Sequence, residues 1–303
     1  MNPLHKTLLN QLTSKVLRAN TISLYRNIVY YYLILFTLLQ MPLAAELWGP
    51  NALLKVRFYD GNIFWQSFNL LSHQRFANYY FIFPFALIIA CLFSFFLKKK
   101  SIIAFVIFFL YLNLYHRTQS IQNAGGDLLK FQLLYLIFMN ESKADSGNGF
   151  LAKLSHALSN LAFYLSQFQV LLLYIVAAMY KLNGSNWIDG SAIECVLYSD
   201  SYSLPFLQDN LGRYHAILPM LTWGVLIFQL TFPILIWFQK VKKITLLIGI
   251  VFHLFIAFIM GILDFGILML LMYLLFCSND WSRQFQIQFM ELFKVPKSFR
   301  NSI

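Results

Sequence analysis

Charge is what this chain has least of. Of its 303 residues 12% are charged and 59% are hydrophobic, and the mean hydropathy is +0.62. Soluble domains carry about 25% charged residues, so a water-soluble globular fold is excluded. Cysteine is scarce as well. Cys91, Cys195 and Cys277 are odd in number, far apart and form no CxxC pair. That excludes a disulfide framework and gives no zinc spacing, so no metal is expected. The chain also lacks an HExxH pair, a Gly-rich phosphate loop and a dinucleotide fingerprint, which removes the common catalytic motifs. No internal repeat is visible.

What the chain has is apolar length and aromatic residues, 32 Phe and 17 Tyr among them. Crossing the hydrocarbon core takes about 20 apolar residues. Eight runs qualify: 26–45, 80–97, 102–121, 124–140, 160–181, 216–239, 244–260 and 262–278. Only Gly261 separates the last two, which implies a tight hairpin. The expected fold is an all-α, polytopic transmembrane helical bundle. A net charge of +11 would suggest nucleic acid if it formed one patch, but the basic residues sit between the runs. Lys6, Lys15, Arg18 and Arg26, then Lys98 to Lys100, then Lys240, Lys242 and Lys243 all fall on one side of an eight-span topology. By the positive-inside rule that side is cytoplasmic, together with both termini, and segment 181–215 faces out. The partner expected is the lipid bilayer, with no nucleic acid. The location expected is the cell (inner or plasma) membrane.

Leu4, Leu8, Leu9, Leu12, Val16 and Leu17 recur at helical spacing with basic residues between them, as in an interfacial helix. A cleaved signal peptide ending at Leu43-Ala44-Ala45 is the competing reading, and the long polar lead counts against it. Residues 1–24 are therefore assigned to a cytoplasmic interfacial helix, 25–280 to the transmembrane domain and 281–303 to a cytoplasmic tail. The polar stretch 140–159 reads as a linker.

Ionisable groups at membrane depth cost roughly 2.5–3.5 kcal/mol and suggest function. Lys181 ends the apolar run Gln167–Tyr180 and is followed by Leu-Asn-Gly-Ser-Asn-Trp-Ile-Asp-Gly. One reading is a snorkelling anchor at a helix C-terminus. The other is a site, because Asn183, Gly184 and Gly190 are turn formers, Trp187 and Ile188 would pack back against the membrane, and such a turn would fold over the amine. A lysine kept from water holds its proton less tightly and can serve as a base. Asn123-Ala124-Gly125-Gly126-Asp127 opens the fourth run. It is either an N-terminal cap or, through its glycine pair, a close approach for a ligand. His253 lies within an apolar run, where a packed, hydrogen-bonded histidine competes with a functional one. Lys130 fits as an i, i+3 partner of Asp127, and Asp264 as a turn residue. The eight-span topology puts Asn123, Asp127, Lys181 and His253 in its outer half, as one outward-facing pocket.

The run from Gln169 through Tyr174 to Lys181, then Asn183-Gly184, Trp187 and Asp189-Gly190, resembles the HTTM (horizontally transferred transmembrane) domain. That domain is the membrane part of vitamin K-dependent gamma-carboxylase and of bacterial relatives. The Gly125-Gly126-Asp127 segment, and His253 with Phe265-Gly266 and the run to Trp281, are similar to further parts of it. The resemblance implies a quinol-binding pocket for a reduced quinone of the vitamin K or menaquinol type. Lys181 would be the quinol base and His253 a second catalytic residue that stabilises an oxyanion. Asn123, Gly125, Gly126, Asp127, Tyr174 and Trp187 would be ligand-binding. Epoxidation and carboxylation are the chemistry it implies. The carboxylase continues into a large lumenal portion that holds its peptide. This chain stops soon after its last run, so the expectation is that peptide carboxylation would need a partner. Short HTTM chains also resemble the sporulation-delaying protein B group. That likeness implies maturation, export or immunity for a secreted peptide, without catalysis, as the alternative.

Overall fold

Backbone polar groups find no water inside a bilayer, and a helix satisfies them within one segment. The computed structural model describes residues 11–52, 69–72, 74–97, 100–118, 121–141, 149–199, 210 and 215–292, and among these every regular element is helical. Four stretches are long and apolar enough to cross a membrane. They are Ala19–Trp48, which joins α1 (Ala19–Gln40) to α2 (Ala44–Trp48), then α7 (Phe150–Leu182), α10 (Ile217–Leu235) and α11 (Gln239–Phe258). A fifth arises if Leu263–Phe276 and Asn279–Leu292 count as one broken span. The protein is thus an all-α, multi-pass membrane protein. Its surface agrees: Leu35, Phe93, Phe168, Ile227 and Val251 are exposed, while Arg26, Asn113, Gln132 and His253 are buried. That is the inverse of a protein packed for water.

Three other expected spans hold shorter helices: α4 (Ile82–Ser94), α5 (Lys100–Arg117) and α6 (Ala124–Phe138). Their ends carry the reason. Lys100 begins α5 and His116-Arg117 closes it, and the first turns of α6 hold a glycine pair, Asp127 and Lys130. Beyond these come α3 (Gln74–Ala77), α8 (Ser185–Ile188), α9 (Ala192–Leu197), α12 (Leu263–Met272) and α13 (Asn279–Leu292). Residues 1–10 of the expected interfacial helix lie outside the described residues, and α1 begins at Ala19, inside the segment assigned to it. The expected tail contains α13, and its residues 293–303 also lie outside the described set.

Two compact units divide the chain, 1–166 with 277–303, and 167–276. In the first, polar side chains close the ends of helices. No side chain next to α1 caps it. Its first-turn amides of Asn20 and Thr21 instead donate to Asn279 Oδ1, at 2.9 and 3.3 Å. Asn160 Oδ1 accepts from the Leu17 amide, while its Nδ2 donates to Leu12 O and Lys15 O. Deeper in, Tyr25 donates to Gln132 Oε1, and Gln132 Nε2 donates to Ser166 O. Arg26, 1% exposed, donates to the carbonyls of Leu136 and Met139 and pairs with Glu141 at 3.3 Å. Lys100 holds the other oxygen of Glu141 at 2.6 Å.

In the second unit, α11 buries Thr245, Gly249, His253 and Ala257, a stripe at i, i+4 spacing. Small residues on that stripe let neighbours come close. A Cβ on Gly249 would lie 2.6 Å from Tyr273 Cζ, so only glycine leaves room for that ring. Gly261, at φ +71°, makes the expected tight turn, and Asp264 falls in the first turn of α12.

Candidate functional site

The site builds from the end of α7. The helix closes with the Gly184 amide donating to Lys181 O at 2.9 Å and the Asn183 amide to Tyr180 O. Helix α8 follows at once and brings the Trp187 ring under the lysine, with Lys181 Nζ 5.0 Å from the ring centroid. A Cβ on Gly184 would sit 3.2 Å from Trp187 Cδ1, so the indole packs against this residue. Gly190 has φ +87°, and a Cβ there would lie 2.9 Å from Pro219 of α10. Four further bonds fasten the turn to α10 or within itself. Trp223 Nε1 donates to Ile188 O, the Ile193 amide donates to Thr222 Oγ1, and the Ser191 amide and hydroxyl both donate to Asp189 Oδ1. Those two bonds from Ser191 hold the Asp189 carboxyl below the usual carboxylate range. The Lys-Leu-x-Gly-x-x-Trp-x-x-Gly pattern therefore encodes one small structure, a pinned aromatic seat for an amine. Lys181 is half-buried and forms no salt bridge among the described residues. A cation on an indole face gains roughly 0.5–2 kcal/mol.

Two turns earlier on α7, Tyr174 is buried and joins two other helices. Its hydroxyl lies 2.7 Å from His253 Nε2 and also shares a hydrogen bond with the Tyr273 hydroxyl. Phe232 stacks on Tyr174 at 4.2 Å, and Phe228, Phe252 and Phe265 present edges to Tyr174 or His253. His253 Nδ1 is buried without a hydrogen-bond partner among the described residues. The sequence names Tyr174 and His253 and the structure brings them together; Tyr273 is the member that sequence reasoning missed. The signal for it was Gly249, one turn before His253 in an apolar helix, which marks the space that a large side chain enters.

A second pattern also escaped the sequence reading. Asn160, Gln167, Tyr174 and Lys181 are spaced by seven residues along α7. Each is engaged: Asn160 with Leu12 and Lys15, Gln167 Nε2 with Leu275 O at 2.8 Å, Tyr174 with His253, and Lys181 with Trp187. Seven residues are nearly two turns, so the four form a ladder on one face.

The remaining expected site residues belong to the first unit. Asn123 caps α6 by accepting from the Gly125 amide at 2.7 Å. Gly126 is buried, and its carbonyl accepts from the Tyr111 hydroxyl. Asp127 is engaged by Lys130 at 2.8 Å and by the Tyr115 hydroxyl at 2.6 Å. That is the cap and the i, i+3 pair among the readings left open. Beside this segment lies a cavity of about 20 Å³ lined by Thr37, Gln40, Trp48, Tyr115, Thr118 and Gln122. It has room for about one water and is too small for a quinol ring. Trp48 Nε1, buried, has no partner among the described residues.

With this geometry in place, comparison with known proteins becomes informative. The sequence model of the HTTM domain matches residues 31–281. The chain belongs to the HTTM domain family. All of the expected site residues, and Tyr273 with them, lie inside the HTTM match, whereas Arg26 and most of α13 lie outside it. This HTTM protein is similar to sporulation-delaying protein SdpB of Bacillus subtilis (strain 168), at 30% identity over 106 residues. The aligned part is 34% of this chain and 33% of that protein, so the chain spans about a third of that relative's length. No solved structure matches the chain significantly.

Proposed function

We propose that this HTTM protein is a membrane enzyme that uses Lys181 as a base on a quinol-type molecule at the outward end of α7, with a secreted peptide as the eventual substrate. One observation carries the reading: an amine at the end of a membrane-crossing helix, seated on Trp187 and in no salt bridge among the described residues. The residues suit a lipid-soluble ring bearing hydroxyls. Trp187 offers an aromatic face, and the fastened turn behind it limits water. Such a quinol, when bound, would supply an acidic hydroxyl and two electrons, with molecular oxygen as the acceptor. Lys181 Nζ takes up the hydroxyl proton, and the indole stabilises the ammonium that results. Tyr174, His253 and Tyr273 act one step away, fixing the rotation of the helix that presents the lysine.

Topology supports an outward location. Arg26, Lys100 and Glu141 meet in one cluster, so the stretches between them cross the membrane an even number of times. Helices α4, α5 and α6 then complete shorter crossings, and α4 alone is flanked by apolar residues on both sides. With four more from α7, α10, α11 and the run 262–278, the count is eight and both termini are cytoplasmic. The basic residues on that side support a cytoplasmic assignment under the positive-inside rule.

The test is quinol oxidation in membranes carrying Lys181→Met or Lys181→Arg. The expected result is loss of activity in Lys181→Met, with stability lowered by no more than the roughly 0.5–2 kcal/mol of the amine–indole contact. Full activity in Lys181→Met sinks the proposal. The similarity to SdpB favours a second reading, a non-catalytic maturation, export or immunity factor for a secreted peptide. Photo-crosslinkers in place of exposed Asp189 or Glu194 would then capture the peptide, and Lys181→Met would leave the phenotype intact.

A further inference from the structure

Helix α13 is amphipathic, and a narrow polar strip of it faces the protein. Ser282 and Gln286 are buried against the start of α1, where Ser282 Oγ donates to Thr21 Oγ1 and Gln286 Nε2 donates to Asn20 O. Asn279 bonds the same two residues. Three positions spread over two turns of α13 thus meet one spot on α1. Helices that ran side by side would advance along each other; these two cross. The crossing lies at the first turn of a membrane-spanning helix, which is a membrane boundary.

One outward stripe is apolar. Trp281, Phe285, Phe289 and Leu292 are 42%, 38%, 51% and 77% exposed. Trp281 stacks on Phe285 at 5.3 Å and Phe285 on Phe289 at 6.4 Å. At 100° per residue these four fall within a stripe of about 80° next to the docking face, and Asp280, Arg283, Gln284 and Glu291 lie on the far side. In water such an aromatic stripe is unfavourable. At a membrane boundary it has a natural medium, because aromatic residues, tryptophan above all, settle at headgroup level.

We infer that α13 is an in-plane interfacial helix whose Trp281-Phe285-Phe289-Leu292 stripe is seated in the headgroup–acyl boundary of the bilayer, with its polar face clamped to the first turn of α1. It therefore lies on the membrane rather than forming the second half of a broken span. The occupant of the stripe is lipid, since the polar clamp already supplies the contact with protein and the stripe lies at the height where lipid begins.

The test is spin labelling of the full chain in vesicles of phosphatidylethanolamine and phosphatidylglycerol, with Cys91, Cys195 and Cys277 replaced. Labels at 285 and 289 should collide with oxygen more than with a nickel chelate and report a depth of about 5–10 Å below the phosphates. Labels at 284 and 291 should favour the chelate. Chelate access at 285 and 289 would overturn the inference in favour of a water-exposed face. Poor access to both probes with dipolar broadening would overturn it in favour of a second copy. If the cysteine-free chain fails to fold, the native chain and Trp281→Phe are compared in vesicles of brominated lipid. The wild type should show a quenched fluorescence component that the variant lacks, and equal quenching in the two would overturn the inference.

Discussion

The two units hold different kinds of buried polarity. The first adds charge to its neutral hydrogen bonds, with buried Arg26 and half-buried Lys100 sharing Glu141. In the second, the buried groups are neutral, hydroxyl to imidazole to hydroxyl, and the amine of Lys181 rests on an indole. A buried ion pair is rigid, because removing one member strands the other. An amine on an aromatic face is held but still able to gain or lose a proton. The first unit therefore has the chemistry of a scaffold, and the second has the chemistry of a site.

The largest test of that contrast is Arg26→Leu. It leaves Glu141 buried without its guanidinium and two carbonyls without donors, and the expected loss is about 3–5 kcal/mol. Unfolding in SDS titrations measures it, and near-wild-type stability would erase the contrast. Gly249→Ala comes next. The added methyl meets the Tyr273 ring, an overpacking cost of about 1–3 kcal/mol, and activity should fall with stability because Tyr273 holds Tyr174. Tyr174→Phe strands His253 Nε2 and removes one bond from the Tyr273 hydroxyl, at roughly 1–3 kcal/mol. A cost much larger than that of Arg26→Leu would reverse the ranking of the two units. Trp187→Leu should cost only about 0.5–2 kcal/mol, yet alter the pH dependence of any Lys181-dependent activity. That split between stability and activity separates a seat from a packing residue.

The smallest effect concerns Asp189. Its two bonds from Ser191 depress the folded carboxyl. The stability it contributes is present above the unfolded value, near 3.9, and is lost as pH falls through the lower folded one. Asp189→Asn should remove only that acid-side slope, read from unfolding midpoints between pH 5 and pH 3.

Much of this organisation was legible in the residues. Apolar length gave the membrane helices, and the turn formers after Lys181 gave the fold-back, though not Trp187 as the seat of the amine. The spacing of Asp127 and Lys130 gave their pair. These are local signals, read within one or two turns. What was not legible is long-range. Tyr174 meets His253 and Tyr273 across 79 and 99 residues, and Asn279 caps a helix 259 residues away. Periodicity says which face is apolar, not which partner arrives there. Composition also overstated helix length in the first unit, because α4 and α6 stop where turns and polar residues take over although the apolar count runs on.

The ladder on α7 has one more consequence. Four side chains at seven-residue intervals act as an angular key, and a helix drifts only about 20° per such step. Inserting a single residue between Gln167 and Tyr174 would turn everything beyond it by about 100°. Tyr174 and Lys181 would lose their partners together, while Asn160 and Gln167 kept theirs. The amine's position is therefore set by the count of residues along one helix as much as by its immediate neighbours.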